Sequence, residues 1–287
     1  MVEGSYQGFD VERRDSGVAL VTFRNPERLN AMGPGTRRDL IEILAMAQLD
    51  DQVRVIILTA TGRGFVAGVN NRANGPEDPT LVPPIPDHAH EPIDLYSRLR
   101  LHGQELPAMI RRLDKLTIAA VNGFAIQLGL SIVLACDFAI AAESAQLGSA
   151  TLRMGWQPDE GGHWLLVEHL GVKGAIDFLM RKRIVSGSEA ASLGLVNQVV
   201  EDSELLPAAL ALAEELANGP QVAMRLLKRA VYNAAKLSFE QAGDDIASKT
   251  AISDYQLDAR EGATAFFDKQ PITFNKWLLG EGVPETE

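Results

Sequence analysis

The chain has 287 residues, of which 46% are hydrophobic and 23% are charged, as in an ordinary folded globular protein. Its formal net charge of −11 argues against nucleic acid as a general partner, because phosphate binding needs a basic surface. The single cysteine excludes an intrachain disulfide. There is no basic and apolar leader at the N-terminus, and polar residues interrupt every long apolar stretch. We therefore expect a soluble cytoplasmic protein with no membrane partner.

Strands and helices alternate in the first part of the chain. Val18–Phe23 and Val53–Thr59 are apolar segments typical of strands, and Arg37–Asp50 between them has helical periodicity. Further strands are predicted at Ile118–Val121 and Asp137–Ala142, with an apolar helix between them. This alternation predicts right-handed βαβ units and a largely parallel sheet.

A proline-rich segment, Gly75–Pro92, interrupts the alternation. We expect a loop insertion, because the strand and helix pattern resumes after it. His88 and His90 in this segment suggest a metal site, but no cysteine or compact acidic cluster accompanies them. An exposed loop without a metal is therefore the better interpretation.

The pattern becomes helical from Leu205 onward. Helices are predicted at Leu205–Asn218, Pro220–Ala235 and Ser238–Ala259, with a stop signal at Gly219-Pro220. The pattern therefore predicts an α/β core over residues 1–200 and a helical region over residues 201–287.

Ala119–Gly148 is the most informative stretch of the sequence. An apolar strand leads into Asn122-Gly123, and the chain must turn sharply at Gln127-Leu128-Gly129 before an apolar helix begins. A helix that begins at such a turn has free backbone N–H groups in its first turn. Free N–H groups of this kind can stabilise a developing oxyanion.

Several motifs, in this order along the chain, resemble the enoyl-CoA hydratase/isomerase (crotonase) superfamily. They are NPERLNAM (Asn25–Met32), FVAGVN (Phe65–Asn70), AAVNG (Ala119–Gly123), CD (Cys136–Asp137), GSEAASLGLVN (Gly187–Asn197) and EGATAF (Glu261–Phe266). Each motif is weak alone, but together they are specific for the superfamily, although not for one reaction within it. The resemblance implies a crotonase-like (ClpP/crotonase) α/β fold, a spiral of ββα units with a C-terminal helical region. Relatives form trimers through that region, so a homotrimer or a dimer of trimers is expected.

The resemblance also implies an acyl-CoA thioester as the small-molecule substrate. Coenzyme A is then part of the substrate, and no permanently bound cofactor is expected. In the family the thioester oxygen lies between two backbone N–H groups, which correspond by position to those of Val69 and Leu128. The segment after the FVAG motif and the loop near Asn25 face the coenzyme A in relatives, which makes candidate contacts of Arg28, Ala67, Val69, Asn70 and Arg72.

The hydratases of the family carry two glutamates that this chain lacks. By position they are replaced by Ser131 and Thr151, which we assign to the substrate pocket. Hydroxyl groups are too weakly basic to replace a pair of carboxylates. Efficient simple hydration of a 2-enoyl-CoA is therefore not expected.

A different acid/base group is indicated in Gly155–Trp164, GWQPDEGGHW. By resemblance, Asp159 falls where dienoyl-CoA isomerases carry a catalytic aspartate and where 4-chlorobenzoyl-CoA dehalogenases carry a nucleophilic one. When Pro158 and His163 are aligned with the crotonase-fold C–C hydrolases, Glu160 matches their acid. Either carboxyl is a suitable base if burial raises its pKa.

The same two acids have an alternative structural explanation. Asp159 or Glu160 could cap a helix starting near Gly161, because acids favour the first turn of a helix. We expect at least one of them to face the acyl pocket, together with Trp156 and His163.

The predicted function is an acyl-CoA-transforming enzyme of the kind found in fatty acid metabolism. Three alternatives stay open from the sequence. One is isomerisation of a double bond by Asp159 or Glu160, and the second is hydrolysis of a C–C or carbon–halogen bond. The third is a non-catalytic acyl-CoA binding protein that kept the pocket and lost the chemistry.

Overall fold

The structure is a computed structural model that describes residues 1–70 and 91–279, without the side chains of His102 and Leu279. Arg72, His88 and His90 lie outside the described residues, as does nearly all of the predicted proline-rich insertion. Within these ranges, none of the helices combines the length and the apolar character that crossing a membrane requires.

The described strands are numbered in chain order. They are β1 (Gly4–Tyr6), β2 (Phe9–Arg13), β3 (Val18–Phe23), β4 (Val55–Ala60), β5 (Gly64–Val66), β6 (Leu116–Val121), β7 (Phe124–Ile126), β8 (Phe138–Ala142), β9 (Gln146–Gly148), β10 (Ile184–Ser186) and β11 (Gln198–Val200). They form a seven-stranded sheet in the order β1-β2-β3-β4-β6-β8-β11 and a four-stranded sheet in the order β10-β9-β7-β5. In the larger sheet β1, β2 and β3 are antiparallel, and the pairs from β3 through β4, β6 and β8 to β11 are parallel.

The described helices are also numbered in chain order. They are α1 (Pro34–Leu49), α2 (Pro92–Arg98), α3 (Glu105–Arg112), α4 (Leu128–Ala135), α5 (Gly162–Met180), α6 (Gly187–Ser192), α7 (Leu205–Ala217), α8 (Gln221–Ala234), α9 (Phe239–Asp254) and α10 (Leu257–Phe267). A π-helical turn, Leu99–Gly103, connects α2 to α3. The single helix predicted over Ser238–Ala259 is wrong, because α9 ends before Tyr255 and Gln256 is extended (φ −72°, ψ 153°). No glycine or proline marks this break in the sequence.

The larger sheet is covered on both faces, which explains why its central strands are almost entirely apolar. One hydrophobic cluster includes buried residues of α1, α3, α4 and α5, such as Leu40, Ile110 and Leu166. The cluster on the opposite face includes Leu205 and Ala213 of α7. Helix α7 therefore packs on the sheet, although it follows the predicted division at residue 200, and that division stays a prediction.

A buried ion pair fixes α8 to the core. Lys228 Nζ lies 2.7 Å from Asp137 Oδ2, and the hydroxyl of Tyr232 donates to Asp137 Oδ1 at 3.0 Å. The same aspartate accepts the backbone N–H of Thr117 at 2.8 Å. Asp137, which belongs to the CD motif of the sequence, thus has hydrogen-bond partners on several sides inside the protein.

The smaller sheet brings two turns together. Strands β5 and β7 are parallel neighbours, so their carboxyl ends lie at the same edge, and α4 begins immediately after β7. A Cβ at Gly129 would lie 2.0 Å from the carbonyl oxygen of Val66, so glycine is needed for α4 to approach β5 this closely.

Candidate active site

A cavity of about 860 Å³ opens at the edge where β5 and β7 end. Its wall is formed by the first turn of α1, the turn after β5, the end of β7, the segment from α2 through the π-helical turn, and the segment 150–160. The predicted pocket residues Thr151 and Trp156 and both candidate acids, Asp159 and Glu160, lie in this wall. A cavity of this size is large enough for a small organic group with polar contacts.

The turn after β5 leaves one backbone N–H unused. Gly68 has φ 100°, a conformation that favours glycine, and the N–H of Met32 donates to its carbonyl at 3.0 Å. The N–H of Asn70 donates to the carbonyl of Met32 at 3.0 Å. In such a parallel bridge the groups of the intervening residue, Val69, are directed to the other side. Among the described residues, the N–H of Val69 has no acceptor.

The second turn begins α4 at a strained residue. Gln127 has φ 54° and ψ −100°, a sparsely populated conformation that functional sites often contain. Its N–H donates to the carbonyl of Gly148 at 2.9 Å, which holds the turn in place. Leu128 is the first residue of α4, so its N–H has no intrahelical acceptor, and none is found elsewhere in the described ranges. The two N–H groups predicted to bind the thioester oxygen are thus free of acceptors, while their role stays a prediction.

Glu160 is held in the cavity wall by the side chain of Gln127. Its residue surface is only 4% exposed, and its Oε2 accepts from Gln127 Nε2 at 2.9 Å. The other end of the Gln127 amide, Oε1, accepts from Ser149 Oγ at 2.7 Å and from Thr151 Oγ1 at 3.4 Å. Because both the nitrogen and the oxygen of this amide are engaged, its orientation is fixed.

The pKa of Glu160 is raised to about 8, chiefly by burial and in addition by a side-chain hydrogen bond with the neighbouring Asp159 and by the charge of Asp159. The hydrogen bond from Gln127 acts in the opposite direction, because it stabilises the carboxylate. Near neutral pH the Glu160 carboxyl is therefore mostly protonated, and it loses its proton a little above that pH.

The alternative explanation of these acids as helix caps is wrong. The cap position of α5 is occupied by Gly161 in a left-handed conformation (φ 83°), and no side chain caps this helix. The main chain at Asp159 is fixed from another direction, since Gln104 Nε2 donates to its carbonyl at 3.1 Å. Neither carboxyl is therefore needed to complete α5.

Two other predicted pocket residues lie outside the cavity wall. Ser131 is fully buried, and its Oγ donates to the carbonyl of Gln127 at 3.2 Å, one helical turn back. His163 is exposed in the first turn of α5. A helical side chain is directed by its own turn and not by its distance along the sequence from the site, so neither residue lines the cavity, and their assignment to the substrate pocket stays a prediction.

The predicted coenzyme A contacts are divided between wall and surface. Ala67 and Val69 line the cavity. Arg28 is exposed, and its Nη1 donates to Asn70 Oδ1 at 3.4 Å, next to Val69 but outside the wall. Arg72 is outside the described residues, so the contacts with the carrier stay a prediction.

The sequence interpretation missed several residues of the wall. Arg37 of α1 and Arg98 of α2 both line the cavity, and so do Leu95 and Leu99. One signal for Arg37 was present, since it precedes Leu40 and Leu44 by three and seven residues and so shares the buried face of α1. No comparable local signal marked Arg98.

The fold and the cavity define the class of the protein. Two sheets with helices on the faces, a helical C-terminal region and paired turns at one sheet edge form the crotonase fold, and the predicted fold is confirmed. The family model described as enoyl-CoA hydratase/isomerase matches residues 13–277, so the chain belongs to the enoyl-CoA hydratase/isomerase family. The protein is therefore an acyl-CoA-transforming enzyme of that family.

The relatives of this chain differ in their reactions. The chain is 33% identical to the 1,2-epoxyphenylacetyl-CoA isomerase of Escherichia coli K12, over 93% of this chain and 98% of that protein. It is 28% identical to the crotonyl-CoA hydratase of Syntrophomonas wolfei, over 94% of this chain and 98% of that protein. The crystal structure of an enoyl-CoA hydratase from Bacillus anthracis matches with a TM-score of 0.83 at 27% identity, over 93% of this chain and 99% of that chain.

Proposed function

We propose that the enzyme shifts a double bond within an acyl-CoA thioester, with Glu160 transferring the proton. The observation that carries this proposal is the buried carboxyl of Glu160 in the cavity wall, held by Gln127 at 2.9 Å. Gln127 is also the residue that precedes the free N–H of Leu128. The acid/base group and one candidate oxyanion donor are thus linked through a single side chain.

The proposed reaction begins with the thioester oxygen accepting hydrogen bonds from the N–H groups of Val69 and Leu128. These bonds stabilise the enolate that forms when a proton leaves the α-carbon, by about 3–4 kcal/mol for each donor. The Glu160 carboxylate takes that proton, and the electron pair of the broken C–H bond moves into the conjugated system. The carboxylic acid then returns the proton at the far carbon of that system, so the double bond moves and the enzyme is unchanged.

The pKa of Glu160 suits this double role. A group that must both accept and return a proton works best when its pKa lies near the working pH, and burial raises the pKa of this carboxyl to about 8. The 1,2-epoxyphenylacetyl-CoA isomerase among the relatives supports isomerisation of an acyl-CoA in general. The two hydroxyls at the positions of the family's glutamates, Ser131 and Thr151, argue against simple hydration.

The test is the conversion of 3-enoyl-CoA esters to 2-enoyl-CoA esters, followed by the absorbance of the conjugated thioester. We expect turnover with at least one chain length and slow or no loss of this absorbance when crotonyl-CoA is the substrate. Hydration of crotonyl-CoA at about 10 per second or faster would contradict the proposal, since that is an ordinary enzymatic rate.

We also infer that the C-terminal helices form the subunit contacts of a homotrimer or a dimer of trimers. Among the described residues, α9 buries none, and α10 buries only Asp258. Large apolar side chains are exposed on this region, namely Phe239, Ile252, Tyr255, Phe266 and Phe267. An exposed apolar surface of this kind is typical of protein interfaces.

A further inference from the structure

Arg37 is a buried cation in the cavity wall, and among the described residues it has no hydrogen-bond or ion-pair partner. Its residue surface is only 7% exposed, and it lines the same cavity as Glu160. Within the described chain its guanidinium forms no hydrogen bond or ion pair, and its Nε is buried without any partner. Asp159 and Glu160 attract it only at longer range, and burial lowers its pKa.

A guanidinium in this position is costly for the folded protein. Removing a charge from water without hydrogen bonds destabilises the folded state unless another group supplies them. The guanidinium carries several donors in a planar fork that matches a carboxylate. The acceptors that Arg37 lacks in the protein are therefore expected on the bound molecule.

Two further features make this part of the cavity attractive to an anion. Arg98 lines it from α2, and among the residues that the structure describes its Nε also has no partner although it is buried. Pro34 and Arg37 place the N-terminal turn of α1 at the wall, and this turn contains no acidic residue and no side-chain cap. The N-terminus of a helix carries partial positive charge, which adds to that of the two arginines.

The acids of the cavity only partly balance this positive charge. Burial raises the pKa of Glu160 to about 8, so near neutral pH this side chain is mostly uncharged and able to donate a hydrogen bond. Asp159 then remains as the acid that attracts the Arg37 guanidinium. A second anion is accommodated at lower cost than in a cavity with two ionised carboxylates.

We propose that the acyl group of the substrate carries a carboxylate that binds Arg37, so that the enzyme acts on carboxyacyl-CoA thioesters. The inference rests on the proposed function in one respect, namely that an acyl-CoA occupies this cavity. A carboxylate fits better than a carrier phosphate, because Arg37 lies in the wall beside the proposed acid/base group and Arg28 lies outside it.

The test compares two thioesters of the same chain length, glutaryl-CoA and pentanoyl-CoA, by titration calorimetry at neutral pH. We expect the wild-type enzyme to bind glutaryl-CoA about 10-fold or more tightly than pentanoyl-CoA, as a charge-assisted hydrogen bond predicts. Arg37→Met should abolish this preference, so that the ratio of the two dissociation constants falls to about 1. Arg37→Lys should retain part of it, because the charge remains and the fork is lost.

Arg38→Met is the matched control, since it removes the same charge from the next residue of α1, which is paired with Asp39. We expect it to keep the preference for glutaryl-CoA. Equal binding of both esters by the wild-type enzyme would overturn the inference and leave the proposed function intact, whereas binding of neither ester would overturn the proposed function. The wild-type comparison decides the inference even if Arg37→Met does not fold.

Discussion

At the scale of single residues, Gln127 contributes to the site through both its backbone and its side chain. Its backbone adopts the strained conformation that begins α4, and its side chain holds Glu160 at 2.9 Å. Its amide oxygen accepts from Ser149 and Thr151, which connects it to the turn after β9. In the proposed mechanism, this glutamine therefore supports Glu160 as the acid/base group in place of the missing pair of glutamates.

The first prediction concerns the two carboxyls. Glu160→Gln keeps the shape of the side chain and removes the proton-transfer group, so turnover should fall by about 100-fold or more. Asp159→Asn should have a smaller effect if Asp159 only tunes its neighbour. Steady-state kinetics with a 3-enoyl-CoA measures turnover, and calorimetry with a saturated acyl-CoA measures binding. The affinity of both variants for the saturated acyl-CoA should change little, because the proposed oxyanion donors belong to the main chain. Wild-type turnover in both variants would remove these residues from the mechanism.

The second prediction concerns pH. If Glu160 is the base, kcat/KM should rise with pH and level off above the pKa of about 8, since the ionised form is the active one. Gln127 stabilises that form, so Gln127→Gly should raise the pKa of Glu160 and move the rising limb to higher pH. Glycine suits the positive φ of this position. A pH profile of each variant is the measurement, with Gln157→Ala, another glutamine of the same wall, as the control. If the rising limb of the pH profile is at the same pH in Gln127→Gly as in the wild-type enzyme, the assignment of Glu160 as the base is contradicted.

At the scale of secondary structure elements, the site depends on how closely α4 approaches β5. The donors proposed at Val69 and Leu128 follow these elements, so their separation is set by the packing of a helix on a strand end. Gly129 makes this packing possible, because any Cβ there would meet the carbonyl oxygen of Val66 at 2.0 Å. A rigid element pair of this kind holds two backbone donors more accurately than a flexible loop does.

The third prediction compares two glycine substitutions. Gly129→Ala should destabilise the protein by about 1–3 kcal/mol or more, because backbone must move to admit the methyl group, and turnover should fall as α4 shifts. Gly243→Ala, in the interior of α9 with nothing within 4 Å of the new Cβ, should raise stability by about 0.5–1 kcal/mol. Denaturant unfolding and turnover of both variants check this. A Gly129→Ala enzyme as stable and active as wild type would show that the close approach is dispensable.

At the scale of the whole molecule, the C-terminal helices differ in how much of their surface is packed against the rest of the subunit. α7 packs on the larger sheet, and α8 is fixed by the buried pair of Lys228 and Asp137. α9 and α10 leave their apolar side chains exposed. Because such surfaces are rarely left open to water, the folded subunit is expected to complete its packing only in an oligomer.

The fourth prediction follows from that surface. The wild-type protein should have the mass of a trimer or a hexamer in light scattering at micromolar concentration. The double substitution Phe266→Ser and Phe267→Ser, at side chains that are about 80% exposed in one subunit, should lower this mass. Leu49→Ser removes an equally exposed apolar side chain from α1 and should leave the mass unchanged. A monomeric wild-type protein would contradict the assignment of these helices to subunit contacts.

The sequence by itself determined the family, the fold and the two turns of the site. These depend on local chemistry, namely the apolar strands, the glycines of the turns and motifs whose order along the chain matches that of the family. The acids Asp159 and Glu160, which line the cavity, were also indicated by the sequence, because both stand in the segment GWQPDEGGHW. The break between α9 and α10 was missed, since Tyr255 and Gln256 carry no local stop signal.

Only the tertiary structure decided which side chains share the cavity. Gln127 and Glu160 are 33 residues apart, and their hydrogen bond cannot be derived from either segment alone. Arg37 enters the wall from α1, while Ser131, predicted for the pocket, is directed back to its own turn. Side-chain direction and contact between distant segments are set by the packing of the whole chain, and so are burial and the raised pKa of Glu160. Local sequence specifies the strands, helices and turns, whereas the packing of the whole chain specifies which side chains meet in the cavity.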